Sequence, residues 1–281
     1  MLMQFHMYLC RIMPQLPSIV LPNGIVVYIW HITETQEYLK QRYEECLLAS
    51  RETENQYGHD SNEGKSGKDN KIRGNYHPLE EFTVSANHIH YLASRILLHS
   101  VFGEHRLERD LHGKPHLKDL QSGIHSADSH INYSHANDWV VLACHDQHPV
   151  GIDIESARPQ LHRIYKRFCS SQEMDWMGEE PSTLLLQKAW CSKEALYKAL
   201  GKKGTDFRNH LFLHPFNEDS KSLKAEILNY DIHKGETRTI EGVNPIEIPE
   251  TDVPTLQNLS LEIHFIELGD MIVAATYLPL R

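Results

Sequence analysis

"VGIDIESARP", residues 150–159, alternates Val150, Ile152 and Ile154 with Gly151, Asp153 and Glu155, and closes at Pro159. A period of two is the period of a strand. It sends the three aliphatic side chains to one face and Gly151, Asp153 and Glu155 to the other. Two carboxylates then stand side by side where the strand ends. Like charges so placed repel, and one pKa rises unless a cation lies between them. One reading is a D-x-E pair of oxygen ligands, which suits Mg2+ bridging to phosphate. The other is an edge strand with one solvated face. Gly151 favours the first, because it leaves room for a ligand beside the carboxylates.

The flanking sequence extends this strand into a sheet. "HINYSHANDWVVLACHDQHPVGIDIE" (130–155) reads as strand, polar turn at Asn137–Asp138, strand, turn at Gln147–Pro149, strand. The chain closes on a hairpin over 259–278 that turns near Gly269–Asp270. "NDWVVLA" (137–143) and "GDMIVAA" (269–275) share a polar turn pair and an apolar run ending in Ala, a hint of duplication. "GIVVYIWHI" (24–32) predicts a buried strand. Capping-box spacing from Thr33 to Gln36 opens a helix through about Leu48. Residues 50–75 are polar and glycine-bearing and read as a loop or insertion. Helices follow over 86–103, closed by Gly103, over the basic "LHRIYKRFC" (161–169), and from the "SSQE" capping box (170–173). The strongest helical pattern is "STLLLQKAWCSKEALYKALGKKG" (182–204), ending at Gly201 or Gly204. The order of elements predicts an α+β fold in two halves.

The chain has 281 residues, 40% of them hydrophobic, enough for a substantial core in one large domain or two ordinary ones. With 28 basic against 38 acidic residues the formal charge is −10, which argues against nucleic-acid or anionic-membrane partners. Five scattered cysteines without a CxxC pair suit a reducing, cytoplasmic setting better than disulfides or zinc. The 20 histidines are spread along the chain rather than grouped as ligands. The apolar N-terminus lacks a basic leading region and is interrupted by His6, Arg11 and Pro14, so it reads as an extension.

On the 182–204 helix, Leu185, Ala189, Leu196 and Leu200 share one arc, with Trp190 and Tyr197 at its edge. Glu194 and Lys198 lie beyond that edge, one turn apart. Lys193 falls inside the apolar arc, where it must snorkel outward or meet an anion. A plain surface helix with a Glu194–Lys198 pair is the alternative, and it leaves Lys193 unexplained. Lys114 in "GKP" (113–115) and Ser134 and His135 in "YSHAND" (133–138) are donors suited to phosphate, or ordinary turn residues. No G-x-S-x-G elbow surrounds Ser134, and its neighbour His135 points to the opposite face, so a hydrolase triad is discounted.

Together "GIDIE" (151–155) and "WCSKEALYKA" (190–199), some 35 residues on, resemble the paired signature of the 4′-phosphopantetheinyl transferases. "GKPHL" (113–117), "INYSH" (131–135) and "RFCSSQE" (167–173) resemble the other motifs of the larger, single-chain type that activates peptide synthetases. The resemblance covers residues 113–199 in order; elsewhere only the layout agrees. Relatives often carry an arginine early in the 86–100 helix, where this chain has Asn87, His88 and His90.

The resemblance implies two pseudo-symmetric α/β halves, 1–148 with the 50–75 insertion and 149–281, each a small antiparallel-rich sheet packed with helices, with the active site at the seam. It implies transfer of the phosphopantetheine arm of coenzyme A to a serine of an acyl or peptidyl carrier protein, with Mg2+, releasing adenosine 3′,5′-bisphosphate. Asp153, Glu155 and Glu194 resemble the metal ligands. Lys193 and Lys198 resemble the lysines facing the pyrophosphate and the incoming serine. Lys114, Ser134 and His135 resemble coenzyme A phosphate contacts, with His135 nearest the 3′-phosphate. The serine proton would pass to Glu194 or a water, with Glu173 a weaker candidate. A cytoplasmic monomer acting without nucleic acid or membrane is expected. A non-catalytic coenzyme A or carrier-protein binder, or another Mg2+-dependent phosphoryl-transfer enzyme, stays as the alternative.

Overall fold

The computed structural model describes residues 15–57, 87–102, 105–109, 113–119, 130–202, 204–231, 236–237 and 256–279. The N-terminal extension through Pro14, the greater part of the 50–75 segment and the helix stop at Gly103 lie outside them.

The first half runs β1 (Gln15–Val20), β2 (Val26–His31), α1 (Gln36–Tyr57), α2 (Asn87–Phe102), β3 (His105–Arg109), β4 (Pro115–Asp119), β5 (His130–Ala136) and β6 (Trp139–His145). Its strands form one antiparallel sheet, β1-β2-β6-β5-β4-β3. The second half runs β7 (Val150–Ser156), α3 (Leu161–Phe168), α4 (Ser171–Met177), α5 (Thr183–Leu200), a single-turn α6 (Phe207–His210), β8 (Leu211–Leu213), β9 (Ser222–Asp231), β10 (Glu236–Thr237), β11 (Leu256–Leu268) and β12 (Met271–Tyr277). Its sheet is β10-β9-β11-β12-β7, with β8 on β9.

The expected pseudo-symmetry is visible in the pairing. The order β2-β6-β5-β4 in one sheet matches β7-β12-β11-β9 in the other. In both halves the closing hairpin lays its second arm against the strand that precedes the helices. The two hairpins also turn alike: Asn137 has φ 50 and Gly269 has φ 66, each followed by an aspartate. That left-handed conformation costs glycine nothing, and asparagine is among the few other residues that take it readily.

Strand alternation builds three cores. Outward from the seam, Trp30, Val140, Leu142 and Cys144 join Leu39, Tyr43, Leu92, Ile96 and Leu97 of α1 and α2. In the second half Ile272 and Ala274 join Leu186, Ala189, Ala195 and Leu196 of α5. Between the sheets, Val27, Ile29, Val141 and Ala143 meet Val150, Ile152, Ile154, Val273 and Ala275. The aliphatic face of "VGIDIES" is thus the inter-sheet core.

Two boundaries differ from expectation. Helix α1 begins at Gln36, and Thr35, not Thr33, caps it, its Oγ1 accepting from Tyr38 N at 3.3 Å. The Thr33 amide is taken by Glu34 Oε2 instead. The helix also continues past Leu48 to Tyr57, because Arg, Glu and Gln propagate a helix well without an apolar stripe. The "SSQE" box forms as read: Ser170 Oγ accepts from Glu173 N, and Glu173 Oε2 from Ser170 N.

Candidate active site

β7 and α5 lie in contact along their length. Gly151 is what permits it, since a Cβ there would come within 2.0 Å of Ala195 O and 2.4 Å of Ala199 N. The room that glycine leaves is therefore filled by helix backbone, not by a ligand as the sequence suggested. The Gly151–Asp153–Glu155 face turns toward α5, and the solvated-edge alternative fails: Asp153 is 4% exposed.

Helix α5 is buried on most of its surface. Leu186, Gln187, Lys188, Ala189, Cys191, Ser192, Lys193, Ala195, Leu196, Ala199 and Leu200 are all covered. The remaining stripe, Trp190, Glu194, Tyr197 and Lys198, is only half-buried. These positions follow the i, i+4, i+7, i+8 spacing of one helix face, and that face borders the carboxylates of β7.

β5 completes the cluster across the seam. Asn132 Oδ1 accepts from Ile152 N at 3.2 Å, joining the halves. Two residues on, Ser134 Oγ donates to Asp153 Oδ1 at 2.9 Å. Lys198 Nζ reaches both, 2.9 Å from Ser134 Oγ and 2.7 Å from Asp153 Oδ1. The second oxygen, Asp153 Oδ2, is buried with no hydrogen-bond partner. Glu155 Oε1 accepts from Trp190 Nε1 at 3.1 Å, and Arg158 Nη2 lies 2.7 Å from Glu155 Oε2 in an ion pair. That contact lacks hydrogen-bond alignment. Gln187 Nε2 fastens the end of the strand, donating to Glu155 O and Asp270 O.

Glu155 and Glu194 lie within electrostatic reach of Asp153 and of each other, and the protonation of these two glutamates reflects it. Burial pushes the Glu194 carboxyl up to about 7; the Asp153 and Glu155 charges add to the rise and Lys198 opposes it. Glu155 is also raised, by burial first and then by Asp153. As placed, no group of three or more His, Cys, Asp or Glu among the described residues is gathered to hold a metal. The chemistry of the set nonetheless fits a hard divalent cation: oxygen donors only, one of them orphaned, with surplus negative charge.

The other expected residues divide. His135 stands beside the cluster, its pKa lowered by partial desolvation of the ring, then by His90 and Lys198, with Asp153 opposing. Lys114 reaches the far end of α5, where Nζ donates to Ala199 O at 2.5 Å and its stem lies against Gly201. A lysine there complements the helix C-terminus. Lys193 and Glu173 are not brought to the cleft. Both side chains are 0% exposed and paired at 2.7 Å. Lys193 Nζ also donates to Phe168 O, Phe207 O and Leu211 O, and Glu173 Oε1 accepts from Leu213 N. The anion that Lys193 meets is a side chain of the same fold. Sequence reasoning missed the buried Lys188, which joins Glu218 O, Ser220 O and Glu267. Trp190, which its spacing sets at the edge of the apolar arc, stands on the cleft stripe with Glu194 and donates to Glu155.

Comparison with known proteins agrees with these motifs. The family model described as the 4′-phosphopantetheinyl transferase superfamily matches residues 149–241. The 4′-phosphopantetheinyl transferase Sfp of Bacillus subtilis is 35% identical over 100 residues, 34% of this chain and 42% of that protein. The 4′-phosphopantetheinyl transferase psf-1 of Bacillus pumilus is 35% identical over 120 residues, 41% of this chain and 47% of that one. The gsp transferase of Aneurinibacillus migulanus is 36% identical over 78 residues, 27% of this chain and 32% of its own length. The matched stretches thus span less than half of each of these relatives.

Proposed function

We propose that this protein moves the 4′-phosphopantetheine arm of coenzyme A to a serine of an acyl or peptidyl carrier protein, with Mg2+. Similarity to named transferases supports the reading. The observation that carries it is the seam cluster: Asp153, Glu155 and Glu194 facing Lys198 and Ser134, with Asp153 Oδ2 buried and unpartnered. Residues 1–148 and 149–281 are taken as its two halves, and a cytoplasmic monomer as its working form. Among the described residues, no helix is long and apolar enough to cross a membrane.

The chemistry is a displacement at phosphorus. The carrier serine oxygen bonds to the phosphorus bearing the pantetheine arm, and the bond to the adenosine 3′,5′-bisphosphate oxygen breaks. Bound at Asp153, Glu155 and Glu194, Mg2+ would neutralise charge on the pyrophosphate. Lys198, held between Ser134 and Asp153, offers a cation to the same oxygens. Glu194, whose carboxyl is raised by burial in the metal-free protein, is the candidate to accept the serine proton. Ser134 and His135 on β5 are taken as phosphate contacts, with Lys114, just before β4, as the third. Lys193 and Glu173 are left out of the chemistry, because their charges are spent on each other inside the fold.

The test mixes the protein with apo carrier protein, coenzyme A and Mg2+ and weighs the carrier. A gain of one phosphopantetheine arm is expected, with Asp153→Ala and Glu194→Ala folded but silent. No gain across several carriers would sink the proposal.

A further inference from the structure

The chain crosses from the first sheet to the second through residues 146–149, between the end of β6 and the start of β7. One imidazole holds that crossover. His145 Nδ1 accepts from Gln147 N and from His148 N, each at 3.1 Å. An accepting nitrogen carries no hydrogen, so the ring is neutral and its hydrogen sits on Nε2. On the other side of the ring is the β1–β2 turn, where the Asn23 backbone hydrogen-bonds it. A Cβ on Gly24 would come within 3.5 Å of Nε2.

The second half grips the same place. Tyr277, the last residue of β12, has its ring centroid 5.1 Å from that of His145. His148 stacks on Tyr277 at 4.8 Å with planes 11° from parallel. Beside them Leu278 N donates to Pro149 O at 2.8 Å. The titratable and charged groups facing His145 are His148 and Asp146 from the crossover, Tyr277 from β12, and His130, its register partner on β5. His130 in turn has Lys114 and His116 beside it. Asp146 is the one acid in this set. Burial, then His148, hold the His145 pKa below the ordinary 6.5, with Asp146 and the Asn23 backbone opposing.

A proton on Nδ1 would set a third N–H against two amide donors and take away the acceptor that both of them use. The ring cannot be charged while the crossover stays as it is.

We propose that His145 is a pH-sensitive latch on the joint between the two halves: neutral, it holds the crossover closed against Tyr277; protonated, it lets the crossover open. The closed turn refuses a proton that the open turn takes. Its grip is therefore complete above pH 6.5 and weakens as pH falls below that value. The latch stands independently of the reaction carried out at the seam.

The test follows backbone hydrogen exchange in the full chain by NMR across that pH range. Protection of the Gln147 and His148 amides is expected to fall by up to about tenfold for each pH unit below 6.5. Met174 on α4, remote from these histidines, should keep its protection. His145→Asn retains an acceptor for the same amides, as an Asx turn does, and cannot titrate; its protection should not follow pH. Constant protection in the wild type, or an equal fall in the variant, overturns the latch. If the variant fails to fold, the wild type still decides. The nitrogen resonance of His145 Nδ1 should move to its protonated position over the same range in which the two amides are freed. Protonation without loss of protection overturns the latch.

Discussion

Glu194 is a half-buried carboxyl, and its properties follow first from that burial and then from the like charges of Asp153 and Glu155. Its pKa rises from 4.5 to about 7 in the folded protein, so between those values the native state holds a proton that the unfolded chain has released. Stability from this group is full below pH 4.5 and is lost as pH rises through 7. Metal-free protein should therefore melt at falling temperature as pH climbs through that window. Glu194→Gln should flatten the slope, and an unchanged slope would place the titration elsewhere. A divalent cation favours the ionised carboxylate, so Mg2+ should raise the melting temperature more at pH 8 than at pH 5. The same glutamine should lower transfer by roughly 10²–10⁴-fold if Glu194 takes the serine proton.

Helices α5 and α3 both carry cations, buried on one and exposed on the other. On α5, Lys193 points inward, where Glu173 and three carbonyls tie together α3, α4, α6 and β8. Removing one member of such a pair leaves an uncompensated buried charge, at a cost of about 3–5 kcal/mol. Lys193→Ala and Glu173→Gln should each lose on that order in chemical denaturation, and the Lys193→Met/Glu173→Leu double variant should recover part of it. Stable single variants that merely fail to transfer would return the pair to the chemistry. Helix α3 buries Leu161, Tyr165 and Phe168 and exposes Arg163, Lys166 and Arg167. Arg158, which precedes it, is engaged by Glu155. The exposed basic face suits an acidic carrier protein. Reversing Arg163 and Lys166 to Glu should raise KM for the carrier several-fold and spare KM for coenzyme A; an unchanged carrier KM rules that face out.

The two halves share a core. Val27, Ile29, Val141 and Ala143 from one sheet and Val150, Ile152, Ile154, Val273 and Ala275 from the other are each at most 2% exposed. Neither half can cover that surface alone, and apolar area left in water costs about 25 cal/mol per Å². Splitting the chain after His148 should yield two fragments without fixed near-ultraviolet signals, which appear on mixing. Two independently cooperative fragments would show that the halves are separate domains. The candidate site crosses the same seam, with Ser134 on one side and Asp153 and Lys198 on the other, so the fragments should also be inactive apart.

Much of this was open to reading from residues alone. Alternation in "VGIDIES" set Ile152 and Ile154 against Asp153 and Glu155, and the polar pairs at Asn137 and Gly269 marked matching hairpins. Helical spacing put Glu194 and Lys198 on one stripe. Those features are local: a period of two or 3.6 is imposed by the backbone wherever the chain runs. What sequence could not settle was which neighbour each side chain meets. The lysine in the apolar arc was rightly seen to need an anion, but the anion is Glu173, buried beside it, and not a ligand. The space beside Gly151 belongs to α5. His90 stacks on His135 only because α2 and the β5–β6 turn pack together. Charge compensation and close approach depend on distances between segments remote in the chain, and those exist only once the two sheets have closed on their shared core.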